Sequence, residues 1–205
     1  MTVRLIIVRH GNTFEPGEPV RRVGGRTDLA LSASGRAQAE ALGRRFAEDG
    51  FASARSGPLR RTRETAEAIL AAQSERRGSA PPLETDLFLR EIDYGPDENR
   101  PEAEVIARIG ADALERWERL GQPPPGWRVD PDALVGNWQA RFRELRDAPG
   151  THLMVTSNGI ARFALKAAGE AAGARDLASK LRTGAWGEID LEGEQARVRA
   201  WNVRP

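Results

Sequence analysis

Short, unbroken apolar runs alternate along this chain with longer stretches in which apolar residues recur every three or four positions. Leu5-Ile6-Ile7-Val8 is short, β-branched and unbroken, which predicts a strand buried on both faces. Ser32 and Ser34 offer a helix start, Ala39, Leu42 and Phe46 follow at helical spacing, and Gly50 ends the segment. Phe51 to Ser56 predicts a second strand, and helical patterning resumes at Ala66, Ile69 and Leu70. The polar stretch from Gln73 to Pro82 closes on a double proline and predicts a loop, followed by an extended segment from Leu83 to Glu91.

In the second half, Pro101 opens a predicted helix with Val105, Ile109 and Trp117 on one face, and Pro123-Pro124-Pro125-Gly126 stops it. Asp130-Pro131 reads as an N-cap and first helical position, and Leu134, Trp138, Phe142 and Leu145 continue that helix. Leu153-Met154-Val155 is a second buried-type strand, and Ile160, Phe163 and Ala167 then read as helix. Trp186 to Leu191 and Ala196 to Trp201 flank Glu192-Gly193-Glu194 as a β-hairpin. Strands alternating with helices predict a three-layer α/β/α fold with a mostly parallel central sheet and that C-terminal β-hairpin. The expected organisation is a single domain over residues 1–205 with an insertion-like helical segment at about 96–148.

The 205 residues suffice for one domain with a real core. Thirty-one basic residues against 30 acidic ones leave a net charge of +1, which gives no global pull toward nucleic acid or an acidic membrane. Lysine occurs only at Lys166 and Lys180, so an arginine here marks a phosphate site only where its position supports it. The absence of cysteine excludes disulfides, thiolate metal sites and a cysteine nucleophile. No apolar stretch approaches bilayer length, and the run after Met1-Thr2-Val3-Arg4 is too short for a signal core. The expectation is a soluble, cytoplasmic protein without membrane or nucleic-acid partners.

Four places carry chemistry. Arg9-His10-Gly11-Asn12-Thr13 follows the first strand, so His10 lies at a strand's carboxyl end, where open α/β sheets keep their sites. An imidazole beside a fixed arginine suits a nucleophile with an anion clamp; the plainer reading is a polar strand end closing a turn. Ser56-Gly57-Pro58-Leu59-Arg60-Arg61-Thr62-Arg63-Glu64-Thr65-Ala66 runs from a turn into a helix start, with arginines that oppose the macrodipole unless an anion offsets both. For Arg60 and Arg63 a solvated basic face is the better reading. Glu91, in Leu89-Arg90-Glu91-Ile92-Asp93-Tyr94-Gly95, suits a general acid if burial raises its pKa, although a lone glutamate is usually a surface charge. Val155-Thr156-Ser157-Asn158-Gly159-Ile160-Ala161-Arg162 again runs strand, polar turn, helix. The loop from Asn12 to Asp28 is long enough to shape a substrate site.

Together these segments resemble the histidine phosphatase, or phosphoglycerate mutase-like, superfamily over nearly the whole chain. Arg9 to Thr13 match the opening Arg-His-Gly motif. Asp28, Leu31, Ser32, Gly35, Gln38 and Ala39 match the following stretch, and Pro58, Leu59, Arg61, Thr65 and Ala66 the Pro-Leu-x-Arg…Thr-Ala motif. Leu89, Glu91 and Gly95 match the Leu-x-Glu-x-x-x-Gly motif, and Arg162 a downstream arginine. The family's second catalytic histidine is replaced by Ser157, and an asparagine common after Arg-His-Gly is missing from Phe14-Glu15-Pro16-Gly17. His152 lies five residues before Ser157, roughly 16 Å along a strand, too far to substitute.

The resemblance implies metal-independent phosphoryl transfer, without a cofactor, to and from a small phosphorylated substrate. His10 is the expected nucleophile and Glu91 the proton donor, with Arg9, Arg61, Ser157 and Asn158 on the phosphate. The other imidazole nitrogen is expected to donate to a backbone carbonyl. Phosphomonoester hydrolysis is the leading reading. One alternative is phosphoglycerate mutase, with Tyr94-Gly95, Trp117 and Pro123-Pro124-Pro125 resembling the mutase insertion and Arg100 or Arg119 contacting a substrate acid. The other is a non-catalytic binder of phospho-ligands.

Overall fold

In the first strand, β1 (Val3–Arg9), Leu5 and Ile7 enter one hydrophobic core while Ile6 and Val8 enter another, because successive side chains of a strand point to opposite faces. All four are fully buried, so both faces of the sheet must be covered. The computed structural model describes residues 3–169 and 179–205. Its elements follow in the order β1, α1 (Ala33–Phe46), β2 (Phe51–Ser56), α2 (Arg60–Arg77), β3 (Leu83–Thr85), α3 (Glu102–Ile109), α4 (Ala111–Leu120), α5 (Pro131–Arg146), β4 (Gly150–Thr156), α6 (Asn158–Ala168), β5 (Trp186–Glu192) and β6 (Gln195–Val203).

The sheet has the order β3-β2-β4-β1-β5-β6. β4 runs parallel to both β1 and β2, and β2 parallel to β3, whereas β5 and β6 are antiparallel additions beside β1. One face is covered by α1 and α2, whose Leu42, Phe46, Ala66 and Ile69 pack on Ile6, Val8, Leu153 and Val155. The other is covered by α5 and α6, with Trp138, Phe142, Leu145, Ile160 and Phe163 packed on Leu5, Ile7, Met154 and Ile189. The fold is thus the expected α/β/α sandwich with a C-terminal hairpin. Within the 96–148 segment, α5 belongs to a main helical layer, while Trp117 of α4 joins the same core. Among the described residues no helix is long and apolar enough to cross a membrane.

Helix starts follow their caps. Ser32 Oγ accepts from the Gly35 amide at 3.1 Å, and Asp130 Oδ1 accepts from the Ala133 amide at 3.0 Å ahead of Pro131. Three expectations change. The polar stretch after Gln73 is helical as far as Arg77, since glutamate, arginine and glutamine are good helix formers and Gly78, at φ 78°, supplies the stop. Gln73 is itself buried, its carboxamide taking the Phe51 amide at 2.9 Å. Only Leu83–Thr85 of the extended segment is strand; Asp86 then caps a single 3₁₀ turn at Leu87–Leu89. The helix opened at Pro101 is broken in two at Gly110, whose φ of 81° and ψ of 153° are not helical.

Candidate active site

Register brings the site together before any side chain does. Arg9 pairs with Thr156, and the His10 amide donates to the Thr156 carbonyl at 3.1 Å. The first residues past the carboxyl ends of β1 and β4, His10 and Ser157, therefore leave the sheet side by side.

His10 is buried, and its Nδ1 lies 2.7 Å from the Gly11 carbonyl oxygen. A carbonyl only accepts, so Nδ1 carries the proton and Nε2 keeps its lone pair. The Arg61 Nε–H donates to that lone pair at 3.2 Å. Burial, followed by the fields of Arg61 and Arg9, holds the imidazole well below its usual pKa and so keeps it neutral. This is the tautomer in which Nε2 is the available nucleophile.

Arg61 stands in the first turn of α2 and is fully buried. Its Nη1 donates to the Thr27 carbonyl at 2.7 Å and its Nη2 to the Gly24 carbonyl at 3.2 Å. Arg9 Nη1 donates to the Leu181 carbonyl at 2.8 Å. Leu181 in turn donates its amide to Asn158 Oδ1 at 2.8 Å, which ties Arg9 to the start of α6. Burial opposes the charge on both guanidiniums. Two desolvated cations beside a neutral imidazole make a site that an anion stabilises.

Glu91 is buried between two amides, those of Ile92 at 3.0 Å and Gly159 at 3.3 Å. A Cβ on Gly159 would fall 2.1 Å from Glu91 Oε1, so only glycine admits the carboxyl to the start of α6. Burial raises the Glu91 pKa and outweighs the two amides and both arginines, which act the other way. A neutral imidazole and a carboxyl biased toward its protonated form thus face the same space.

That space is a cavity of about 520 Å³ whose wall includes Arg9, His10, Arg61, Glu91 and Asn158. Ser157 is not part of the wall. It sits at the N-cap of α6 with its hydroxyl buried and without a hydrogen-bond partner among the described residues. The structure therefore brings five of the six expected site residues to one cavity and places the sixth directly beside them. His152 points elsewhere, to Ser53 Oγ at 2.7 Å and the Ala148 carbonyl at 2.8 Å. Arg60 and Arg63 are exposed, as expected. Arg100 and Arg119 do not line the cavity and pair with Glu104 and Glu115 on their own surfaces.

The outer wall was not legible residue by residue. It comes from the 12–23 stretch of the long loop, with Tyr94, Glu102, Trp117, Glu118, Lys180 and Thr183. Arg22 lies 5.3 Å from both the Tyr94 and Trp127 rings and pairs with Glu102. Arg162 is fully buried 4.6 Å from the Trp117 ring and donates to the Glu118 carbonyl and to Ser179 Oγ. The sequence signals for these residues were the unusual length of the loop, the resemblance of Tyr94 and Trp117 to a mutase insertion and the match of Arg162 to a family arginine, none of which shows how the side chains meet.

A family model described as the histidine phosphatase superfamily (branch 1) matches residues 5–204. A 2,3-bisphosphoglycerate-dependent phosphoglycerate mutase 2 from Gloeobacter violaceus is 34% identical over 132 residues, 63% of this chain and 58% of that protein. The match thus spans less than two thirds of this relative's own length. Among solved structures, mycobacterial hydrolase 1 aligns over 100% of both chains with a TM-score of 0.80 at 21% identity. A mycobacterial glucosyl-3-phosphoglycerate phosphatase aligns over 99% of this chain and 100% of its own, with a TM-score of 0.76 at 23% identity.

Proposed function

The chain belongs to the histidine phosphatase superfamily, and we propose that it hydrolyses a small phosphomonoester without a metal, through a phosphohistidine at His10. The observation that carries this reading is the His10 ring itself: protonated at Nδ1 on the Gly11 carbonyl, with Nε2 unprotonated and its lone pair held by the Arg61 Nε–H, a hydrogen bond that must give way as phosphorus arrives. In the first step Nε2 attacks phosphorus, the ester bond breaks, and the Glu91 carboxyl gives its proton to the departing alkoxide oxygen. In the second, the Glu91 carboxylate takes a proton from water as that water attacks the phosphohistidine. Phosphate leaves, and both residues return to their starting states. Arg9 and Arg61 supply the positive charge that the transferring group requires, which makes positioning and charge neutralisation the main source of rate.

The outer wall favours hydrolysis over mutase chemistry. Arg22 is paired with Glu102, Lys180 lies 3.8 Å from Glu118, and Arg21 donates to the Asn99 carbonyl. With Glu15 and Glu18 added, four described carboxylates face three cations that already have partners. Such a wall offers little to a second anionic group on the substrate. It suits an uncharged alcohol portion resting against Phe14, Tyr94 and Trp117. Phosphoglycerate mutase stays as the second reading because the Gloeobacter relative carries that name.

The test is phosphate release from 4-nitrophenyl phosphate and from a panel of phosphomonoesters, with 3-phosphoglycerate conversion followed in parallel. Hydrolysis by the wild-type protein and its loss in His10→Ala are expected, together with one phosphoryl group on His10 by intact mass. Efficient interconversion of phosphoglycerates would move the reading to mutase. Tight binding of phosphate without any turnover would leave a binder.

A further inference from the structure

Arg61 owes its aim to two carbonyls of an irregular loop, and a loop carbonyl is a poor anchor unless something holds the loop. The 24–27 turn is held from outside by the Gly25 amide on the Ile92 carbonyl at 2.8 Å, by the Arg26 guanidinium on Asp93 at 3.1 Å and on the Gly95 carbonyl at 2.6 Å, and, at its two ends together, by one carboxylate. Glu98 Oε1 accepts from the Gly24 amide at 3.1 Å, the Arg26 amide at 2.9 Å and the Thr27 hydroxyl at 2.8 Å. Its Oε2 accepts from the Tyr94 amide at 3.3 Å. The approach is close: a Cβ on Gly24 would fall 2.2 Å from Glu98 Oε2. Two of the four residues so gathered, Gly24 and Thr27, are those whose carbonyls receive Nη2 and Nη1 of Arg61, whose Nε then meets His10.

We propose that Glu98 is the positioning residue for Arg61: its carboxylate fixes the 24–27 turn, and the turn's carbonyls aim the guanidinium at His10 and the bound phosphoryl group. This rests on the phosphoryl-transfer reading of the cavity. Glu98 is not a catalytic residue, since it is absent from the cavity wall. Charge-assisted acceptance by one carboxylate is the strong form of such a clasp, and misplacing a preorganised donor by about 1 Å costs on the order of 100-fold in rate.

Orientation and simple electrostatics make opposite predictions for Glu98→Ala. Glu98 is an anion near Arg61. Deleting it leaves the site more positive, which by charge alone tightens phosphate binding and depresses the His10 pKa further. If the carboxylate instead aims Arg61, its loss frees the guanidinium, phosphate binding weakens and His10 becomes easier to protonate. The charged groups that act on His10 are Arg9 from β1 and Arg61 from α2. Those acting on Arg61 include Glu91, Tyr94, Asp28 and Glu98. Of all these, the variant removes only Glu98.

The experiment measures inorganic phosphate binding by calorimetry and the pH profile of kcat/KM on 4-nitrophenyl phosphate, for wild type, Glu98→Ala, Glu98→Gln and Thr27→Val. Glu98→Ala is expected to raise the phosphate Kd about tenfold, to lower kcat by about tenfold or more, and to move the acid limb to higher pH. Glu98→Gln keeps one acceptor oxygen for the turn and should recover most of the loss. Thr27→Val leaves the carboxylate in place, removes one of its donors, and should show the same signs in smaller measure, even if Glu98→Ala does not fold. Phosphate binding that is unchanged or tighter in these variants, or an acid limb that stays put or moves down, overturns the inference while the phosphatase reading stands. A wild-type protein that binds no phosphate overturns that reading and Glu98's role with it.

Discussion

The inner half of the cavity and its outer wall are built on different terms. His10 follows β1, Arg61 opens α2, and Asn158 opens α6, all within a residue or two of a regular element. Glu91 follows a 3₁₀ turn but is clamped to α6 through Gly159. His10, Arg61 and Glu91 are buried, Arg9 and Asn158 are half-buried, and each of the five is bound to a backbone group. The outer wall comes from the 12–23 stretch, from Glu102 at the start of α3, from α4 and from Tyr94, Lys180 and Thr183; two ion pairs, Arg22–Glu102 and Lys180–Glu118, cross it, while Glu15, Glu18 and Arg21 bind backbone groups of loops and of the start of α1. On the proposed reading, the chemistry that must hold reacting atoms in one geometry would sit on strand and helix ends, where backbone hydrogen bonds fix direction, and selection among substrates on segments that can change without disturbing the sheet.

If that division is real, substitutions inside should act on kcat and substitutions outside on KM. The largest effect is expected from His10→Ala, a loss of about 10⁴-fold or more in phosphate release, because no other nucleophile is in reach. Comparable turnover in that variant would remove the covalent step altogether.

Next comes Glu91→Gln, expected to lower kcat by about 10²- to 10⁴-fold on substrates with poor leaving groups and less on 4-nitrophenyl phosphate. The pH profile carries the same assignment. His10 must be neutral, and its pKa is pushed down, so the acid limb should lie well below the usual histidine range. Glu91 must be protonated, and its pKa is pushed up, so activity should fall as pH rises through a value above the ordinary carboxylate range. An alkaline limb that survives in Glu91→Gln would assign the proton to another group.

A smaller effect sharpens the comparison from within. From the motif resemblance Ser157 is expected to stand where the family has its second histidine, and its buried hydroxyl has no partner among the described residues. Ser157→His should raise the rate about 10- to 100-fold by restoring a donor to the transferring group. Unchanged turnover in a folded variant would show that position 157 is not a simple vacancy. The smallest effect belongs to the wall: Phe14→Ala should raise KM about three- to tenfold on aromatic phosphomonoesters and leave kcat nearly unchanged. A fall in kcat alone would erase the boundary between the two regions.

The same boundary separates what the sequence showed from what it concealed. β1, β4, the caps at Ser32 and Asp130 and the terminal hairpin are local patterns, read from residues within a few positions of one another. Arg9, His10 and Arg61 lie at a strand end and a helix start that local pattern places, whereas Glu91 is picked out by the Leu-x-Glu-x-x-x-Gly resemblance, since the extended segment expected before it is a 3₁₀ turn. The helical stretch from Gln73 to Arg77 was hidden because its residues are polar yet good helix formers, and the burial of Gln73 depends on the distant Phe51 amide. The break at Gly110 falls on a glycine at φ 81°, where the apolar spacing runs on through the break and so does not reveal it. Glu98 and the Arg22–Glu102 pair were concealed for a related reason: their partners lie 71 to 80 residues away in the chain.

The two outer strands of the sheet have a consequence of their own. A sheet edge presents unpaired N–H and C=O groups and can recruit a strand from another chain. One edge here is β3, only three residues long. The other, β6, carries Arg197 and Arg199, and its register against β5 shifts twice. Short length on one side, and charge with irregular pairing on the other, make both edges poor templates. A crowded solution of this protein is therefore guarded against strand-to-strand aggregation by the termini of its own sheet.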